Sequence, residues 1–198
     1  MFILKSSSPA ETKVKNSRFL AEVFTVHSPD EAKEAWRFRK ETYDNGGHIV
    51  YAFAIGDQQN ILGCSDDGEP SGTAGRPVLA VLKGSGLTNA MITIARWFGG
   101  TKLGTGGLVH AYSEAAKAAL ANAELIELVP MTNAEIVLPY NLYNTFVNRS
   151  AAIGFEIAEE NFGTGIAIRG SVKSELFAEL EKIVQEIGNG RITLAVRQ

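Results

Sequence analysis

Apolar residues along this chain follow two rhythms. In Phe19 to Val26, His48 to Ile55 and Ala90 to Phe98 they form short blocks rich in β-branched and aromatic residues, which predict strands, the last of them buried. Between the first two blocks, Ser28-Pro29-Asp30-Glu31 opens a helix: Ser as N-cap, Pro at the first helical position, and Glu reaching back over the turn. That helix runs to about Tyr43 and stops before Asn45-Gly46-Gly47. Gly56 to Asn60 turns the chain toward Ile61-Leu62, and a long polar loop extends from Gly63 to Arg76. A short apolar helix follows from Pro77 to Lys83, closed by Gly84, and a glycine-rich loop after Phe98 leads into an Ala-rich helix from about Leu108 to Ala123. Glu124 to Val129 is a further strand. Residues 1–17 are polar, with Lys5, Lys13 and Lys15 against Glu11, and form a loose or edge-pairing lead-in.

Pro130 marks a boundary. Beyond it the pattern gives a strand (Ala134 to Leu138), a helix (about Leu142 to Ile153) and a strand (Phe155 to Glu159). After a Gly163-Thr164-Gly165 turn come a strand (Ile166 to Gly170), a helix (about Ser174 to Ile187) and a strand (Arg191 to Val196). The order βαββαβ is the ferredoxin-like, split βαβ plan. The expected fold class is therefore α+β, in two domains covering 1–130 and 131–198.

Composition narrows the function only a little. The chain has 198 residues, 45% of them hydrophobic and 21% charged, with a net charge of −3. A general attraction to nucleic acid or anionic lipid is not expected, so any such binding needs a local patch. One cysteine, Cys64, rules out an intrachain disulfide and suits a reducing compartment. No signal-peptide core and no apolar run of about 20 residues is present, so a cytoplasmic protein without a membrane partner is expected.

The local patch exists. Between Pro70 and Ser113 there is no Asp or Glu, whereas Arg76, Lys83, Arg96 and Lys102 all fall within that stretch. Gly99, Gly100, Gly104, Gly106 and Gly107 surround Lys102, after a strand and before a helix. Glycine allows close approach of backbone, and the free N–H groups of a helix start attract anions. Arg96 and Trp97 add a guanidinium and a ring able to stack on a base, with Phe98 expected in the core. The alternative is a wide structural turn whose glycines only permit positive φ. The loop is neither a Walker loop nor GxGxxG, and no Gly-x-Ser-x-Gly elbow occurs.

Asp66, Asp67 and Glu69 could hold Mg²⁺ or serve acid–base chemistry, although a turn built from Asp-Gly and Glu-Pro explains them more simply. Pairing with Arg76 or Arg96, ordering the loop, is a third possibility. His27, His48 and His110 lack metal-ligand spacing, and Cys64 lacks a nucleophile signature. No cofactor is expected.

The segments Ser65 to Pro77 (SDDGEPSGTAGRP) and Arg96 to Val109 (RWFGGTKLGTGGLV) resemble, in order and separation, the two motifs of the IMPACT/YigZ family. The resemblance covers essentially the whole chain. It implies a ribosomal protein S5 domain 2-like fold for 1–130, and for 131–198 the ferredoxin-like domain of bacterial members, itself similar to the last domain of elongation factor G. Eukaryotic relatives regulate translation under amino-acid stress by competing for an activator of an initiation-factor kinase. The resemblance thus implies a role in translation, with RNA, the ribosome or a translation factor as partner, and carries over no catalytic residue. Trp97 stands where members commonly have Tyr, and His110 where the motif often has Arg. Two other functions remain open: an enzyme for a nucleotide or phosphate ligand using Asp66 or Asp67, and a protein–protein adaptor.

Overall fold

A computed structural model describes residues 1–43, 47–189 and 191–197. The chain divides into two compact units, Met1–Leu128 and Val129–Gln198, each a mixture of helices and antiparallel sheet.

The first unit is built on a five-stranded antiparallel sheet in the order β2-β3-β6-β4-β5. Its strands are β2 (Ala10–Val14), β3 (Ser17–Thr25), β4 (His48–Ile55), β5 (Ile61–Ser65) and β6 (Ala90–Trp97). Strand β6 is central and covered on both faces, which explains why its sequence shows no alternation: Ala90 to Arg96 are all buried. Side chains nevertheless alternate in space. Ala90, Ile92 and Ile94 meet α2 (Gly75–Gly84) and α3 (Gly104–Ala121) on one face. Met91 meets Phe53, Ile55 and Ala32 of α1 (Pro29–Thr42) on the other. The acid-to-base order of α1 fits its dipole, and Ser28 Oγ accepts from Glu31 N–H at 3.2 Å while the Glu31 carboxylate accepts from His27 N–H at 2.9 Å. The Asn45-Gly46 stop signal lies outside the described residues.

The polar lead-in is more ordered than its composition suggests. β1 (Phe2–Ser7) pairs antiparallel with β7 (Ala123–Glu127) as a separate two-stranded sheet, and β2 joins β3 through a two-residue turn. Both turn residues, Lys15 and Asn16, have positive φ, the type I′ requirement for a tight hairpin. Gly63 to Ser65, expected in a loop, complete β5 against β4.

The second unit runs β8 (Met131–Leu138), α4 (Tyr140–Ala152), β9 (Glu156–Phe162), β10 (Ile166–Lys173), α5 (Phe177–Gly188) and β11 (Thr193–Arg197), with one 3₁₀ turn at Ser174–Leu176. Its sheet order is β11-β8-β10-β9. Ile136, Leu138, Ile166, Ile168 and Val172 point to one face and pack on Phe146 of α4 and Leu180, Ile183 and Val184 of α5. Among the described residues, no helix is long and apolar enough to cross a membrane.

One contact fixes the loop that follows β6. A Cβ on Gly99 would lie 2.0 Å from the Asn16 carbonyl carbon, and Gly99 N–H donates to Ser17 Oγ at 3.2 Å. Backbone there touches backbone. A Gly99→Ala substitution is expected to destabilise the chain by about 1–3 kcal/mol, measured by urea unfolding. An unchanged midpoint would show that the hairpin turn yields freely.

Candidate functional site

The alternation along β6 sends its last charged residue inward. Arg96 shares the face of Ile92 and Ile94, so its side chain enters the layer between sheet and α3 and is 7% exposed. Such a charge needs a buried partner. It is Glu69, whose Oε1 lies 2.6 Å from Arg96 Nη1 and accepts from Tyr112 Oη at 2.7 Å. Tyr112 belongs to the buried stripe of α3 with Leu108, Ala111, Ala115 and Ala119, and it meets Phe19 edge-on at 5.2 Å. Burial, reinforced by Glu69, pushes the Tyr112 phenol far above its ordinary range, so it acts as a fixed donor. Arg96 Nε, sealed from solvent, has no acceptor among the described residues.

The polar segment before α2 is built to deliver Glu69. Asp66 does most of this: its carboxylate accepts from Gly72 N–H (2.8 Å), Ala74 N–H (3.0 Å) and Gly75 N–H (2.8 Å). It thereby satisfies the start of α2, whose N-cap Ala74 offers no side chain of its own. Burial works to raise the Asp66 carboxyl, but the three N–H donors and Arg76 outweigh it and hold it below its ordinary value. Asp67 Oδ2 accepts from Ile49 N–H at 2.7 Å, its Oδ1 pairs with Lys40 at 2.6 Å, and its carbonyl accepts from His48 Nδ1 at 2.6 Å. All three carboxylates expected as metal or acid–base candidates are therefore committed to N–H, Lys and Arg groups. Among the described residues, no cluster of His, Cys, Asp and Glu could hold a metal ion.

Beside the Arg96–Glu69 pair lies a hollow of about 370 Å³, lined by both residues, Pro70, Phe98, Lys102 and Leu103, and by Gly104, Thr105 and Leu108 of α3. Helix α3 starts at Gly104, not Leu108. Gly104, Gly106 and Gly107 thus form its first turn, and the loop proper spans only 98–103. Low intrinsic propensity hides this start from the sequence, while the Ala/Tyr face packed on β3 stabilises it. The N-cap Leu103 supplies no side-chain acceptor, so no capping side chain satisfies the first N–H groups among the described residues. Lys102 is exposed and unpaired among the described residues.

Not every expected site residue converges there. Arg96, Lys102 and Gly104 line the hollow, with Gly106 and Gly107 just beyond in the same turn. Phe98, expected in the core, is 60% exposed and forms part of the wall, because β6 ends at Trp97 and no helix covers the next residue. Trp97 faces the other side of the sheet, half-buried, with the Arg18 guanidinium 3.8 Å from its ring centre and Tyr43 edge-on at 5.7 Å. Gly99 is used for the hairpin contact, and Gly100 has a φ of +85°. Arg76 is exposed on α2 beside Asp66, outside the hollow. Tyr112 escaped sequence reasoning; its signal is the four-residue spacing from Leu108 along an otherwise small-residue stripe.

Two substitutions check this construction. Replacing Arg96 by Met strands a buried carboxylate and is expected to cost about 3–5 kcal/mol, most of it recovered in Arg96→Met/Glu69→Leu, by chemical denaturation. Asp66→Ala leaves three amides without an acceptor, at about 1–3 kcal/mol. Because the folded-state carboxyl sits below its ordinary 3.8, the wild-type advantage is full above that pH. It shrinks as pH falls through the lower folded-state value. A pH-independent difference between the two proteins would contradict this role for Asp66.

Comparison with known proteins places this geometry in a family. The Impact N-terminal domain matches residues 15–120, which hold both segments around the hollow. The chain is 30% identical over 190 residues to IMPACT family member YvyE of Bacillus subtilis, covering 96% of this chain and 88% of that one. It is 30% identical over 192 residues to an IMPACT family member of Haemophilus influenzae, covering 96% and 93%. With mouse Protein IMPACT it shares 32% identity over 101 residues, 48% of this chain and 31% of the mouse protein. A crystal structure of a hypothetical protein superposes over 100% of this chain and 97% of its own, with a TM-score of 0.69 and 27% identity. The chain belongs to the IMPACT family.

Proposed function

We propose that this protein regulates translation by binding and without catalysis, gripping an anionic group of RNA or of the ribosome at the hollow beside α3. The observation that carries the proposal is the uncapped, glycine-rich start of α3, flanked by unpaired Lys102 and exposed Phe98. Bare N–H groups and a lysine supply charge complementarity without sequence preference, and an exposed ring offers a stacking platform. Membership of the IMPACT family supports the link to translation. In the same reading the first unit is an S5 domain 2-like domain and the second a ferredoxin-like one. The βαββαβ element order and the β11-β8-β10-β9 sheet support the latter.

The geometry weighs against the nucleotide enzyme. That alternative needs Asp66 or Asp67 to hold Mg²⁺, and both carboxylates are spent on backbone amides and Lys40. Arg96 also changes role: it anchors Glu69 within the site instead of reaching out to a phosphate chain.

Filter binding of duplex RNA over a salt series tests the proposal. Lys102→Gln is expected to reduce the log–log salt slope by about 0.9, the share of one phosphate contact, and Arg76→Gln by the same amount where Arg76 extends the footprint. An unchanged slope in Lys102→Gln rejects the hollow as the RNA site.

A further inference from the structure

We infer that the free edge of β9 is a docking surface for an extended, arginine- or lysine-rich protein segment, which adds to the sheet as a strand and rests a cation on the aromatic corner of Tyr140, Tyr143 and Phe162. The inference concerns the second unit alone and does not rest on the RNA reading.

Sheet topology supplies the edge. β9 stands at the end of the order β11-β8-β10-β9, so it pairs with β10 on one side only. All its residues but Glu160 are exposed, and its outward N–H and C=O groups form a template for another strand. The register slips at Ala158, between the Glu159–Arg169 and Ile157–Gly170 pairs, which leaves Glu159 to Phe162 as the continuous stretch.

Charge selects the occupant. From Ser150 to Ile168 the chain holds Glu156, Glu159 and Glu160 and no Lys or Arg. Pairing parity spreads these carboxylates over both faces: Glu159 lies opposite Arg169 on the open face, whereas Glu160 lies opposite buried Ile168 on the helix face. Glu159 is already engaged, by Arg169 at 2.9 Å and Asn161 at 2.9 Å. Glu160 keeps its charge unmatched: it accepts from the Tyr143 hydroxyl at 2.7 Å, a neutral donor. Glu156 has no ion-pair partner among the described residues. Carboxylates on an edge strand also deter like edges, since two copies of β9 would set glutamate against glutamate. The residues that reject a second copy, and the phosphates of RNA, attract a cationic chain.

Edge protection alone does not explain the aromatic corner. Phe162 is 60% exposed and Tyr140 54%, with ring centres 6.4 Å apart, and Tyr143 meets Phe162 at 6.1 Å. Both tyrosines are held by their hydroxyls, Tyr140 donating to the Gly163 carbonyl at 3.0 Å and Tyr143 to Glu160. The rings are therefore fixed before any partner arrives, with open ring surface beside a carboxylate. An arginine or lysine set there gains cation–π attraction and the Glu160 charge together. Main-chain bonds to the edge supply affinity, while the corner and the carboxylates supply the preference for positive side chains.

Fluorescence anisotropy on the full chain tests this, with a labelled peptide of about eight residues alternating Arg and Thr. One control replaces every Arg by Glu. The other is the Arg–Thr peptide N-methylated throughout, which keeps the charge and removes the main-chain donors. The Arg–Thr peptide is expected to bind at least about tenfold tighter than either control. Phe162→Ser and the double variant Glu156→Gln/Glu160→Gln are each expected to weaken it by about fivefold or more, while circular dichroism shows the fold intact. Equal binding of either control overturns the inference, the methylated one by removing strand addition and the acidic one by removing charge selection. Full affinity in both variants overturns the placement at β9. Self-association of the chain alone, seen by sedimentation and lost in Phe162→Ser, gives the edge to a second copy and overturns the basic partner. Absence of binding by every probe overturns the inference as a whole.

Discussion

The ion pair between Arg96 and Glu69, closed by the Tyr112 hydroxyl, is the constraint around which the first unit is arranged. A guanidinium at the end of a central strand can be buried only if a carboxylate is brought to it from elsewhere in the chain. Glu69 comes from 27 residues away, after an edge strand and through a turn that the backbone cannot hold unaided. Asp66 and Asp67 hold that turn, one by gathering the amides before α2 and the other by tying the segment to β4 and Lys40. The acidic cluster therefore serves as internal scaffolding. The cation it fixes forms one wall of a hollow whose opposite wall is the start of α3.

Much of this architecture was legible because local rules and tertiary structure agree. Ser28, Pro29 and Glu31 specify the start of α1, and the uninterrupted apolar run of β6 announces a strand covered on both faces. Where they disagree the sequence misleads. Lys, Ser and Glu in residues 1–14 left a loose and an edge-pairing lead-in both open; two strands form, since edge positions face water on most sides and need little apolar surface. Gly104 to Gly107 look like loop because glycine disfavours helix, yet Leu108, Ala111 and Tyr112 pull that turn into register through the core. The same logic reverses Phe98: aromatic character suggests interior, but the strand ends one residue earlier.

The site itself was half visible. Charge and glycine content pointed to the segment that lines the hollow, but not to which cations face it. Arg76, Arg96 and Lys102 look equivalent in a string of letters, whereas in space they are an outlying helix residue, a buried anchor and an exposed donor. Strand parity separates Arg96 from Trp97 and assigns the tryptophan, under Arg18, to the opposite face of the sheet. Pairing partners were less accessible, because a contact between residues 69 and 96 leaves no local periodicity to detect.

The fit of Gly99 against Asn16 joins two segments far apart in sequence at a point where no atom can be added. Lengthening the β2–β3 hairpin, or placing any larger residue at 99, would displace the wall on which Phe98 stands. The two loops are thus bound to vary as one, and a graft of the segment after β6 onto another scaffold would have to take the hairpin with it.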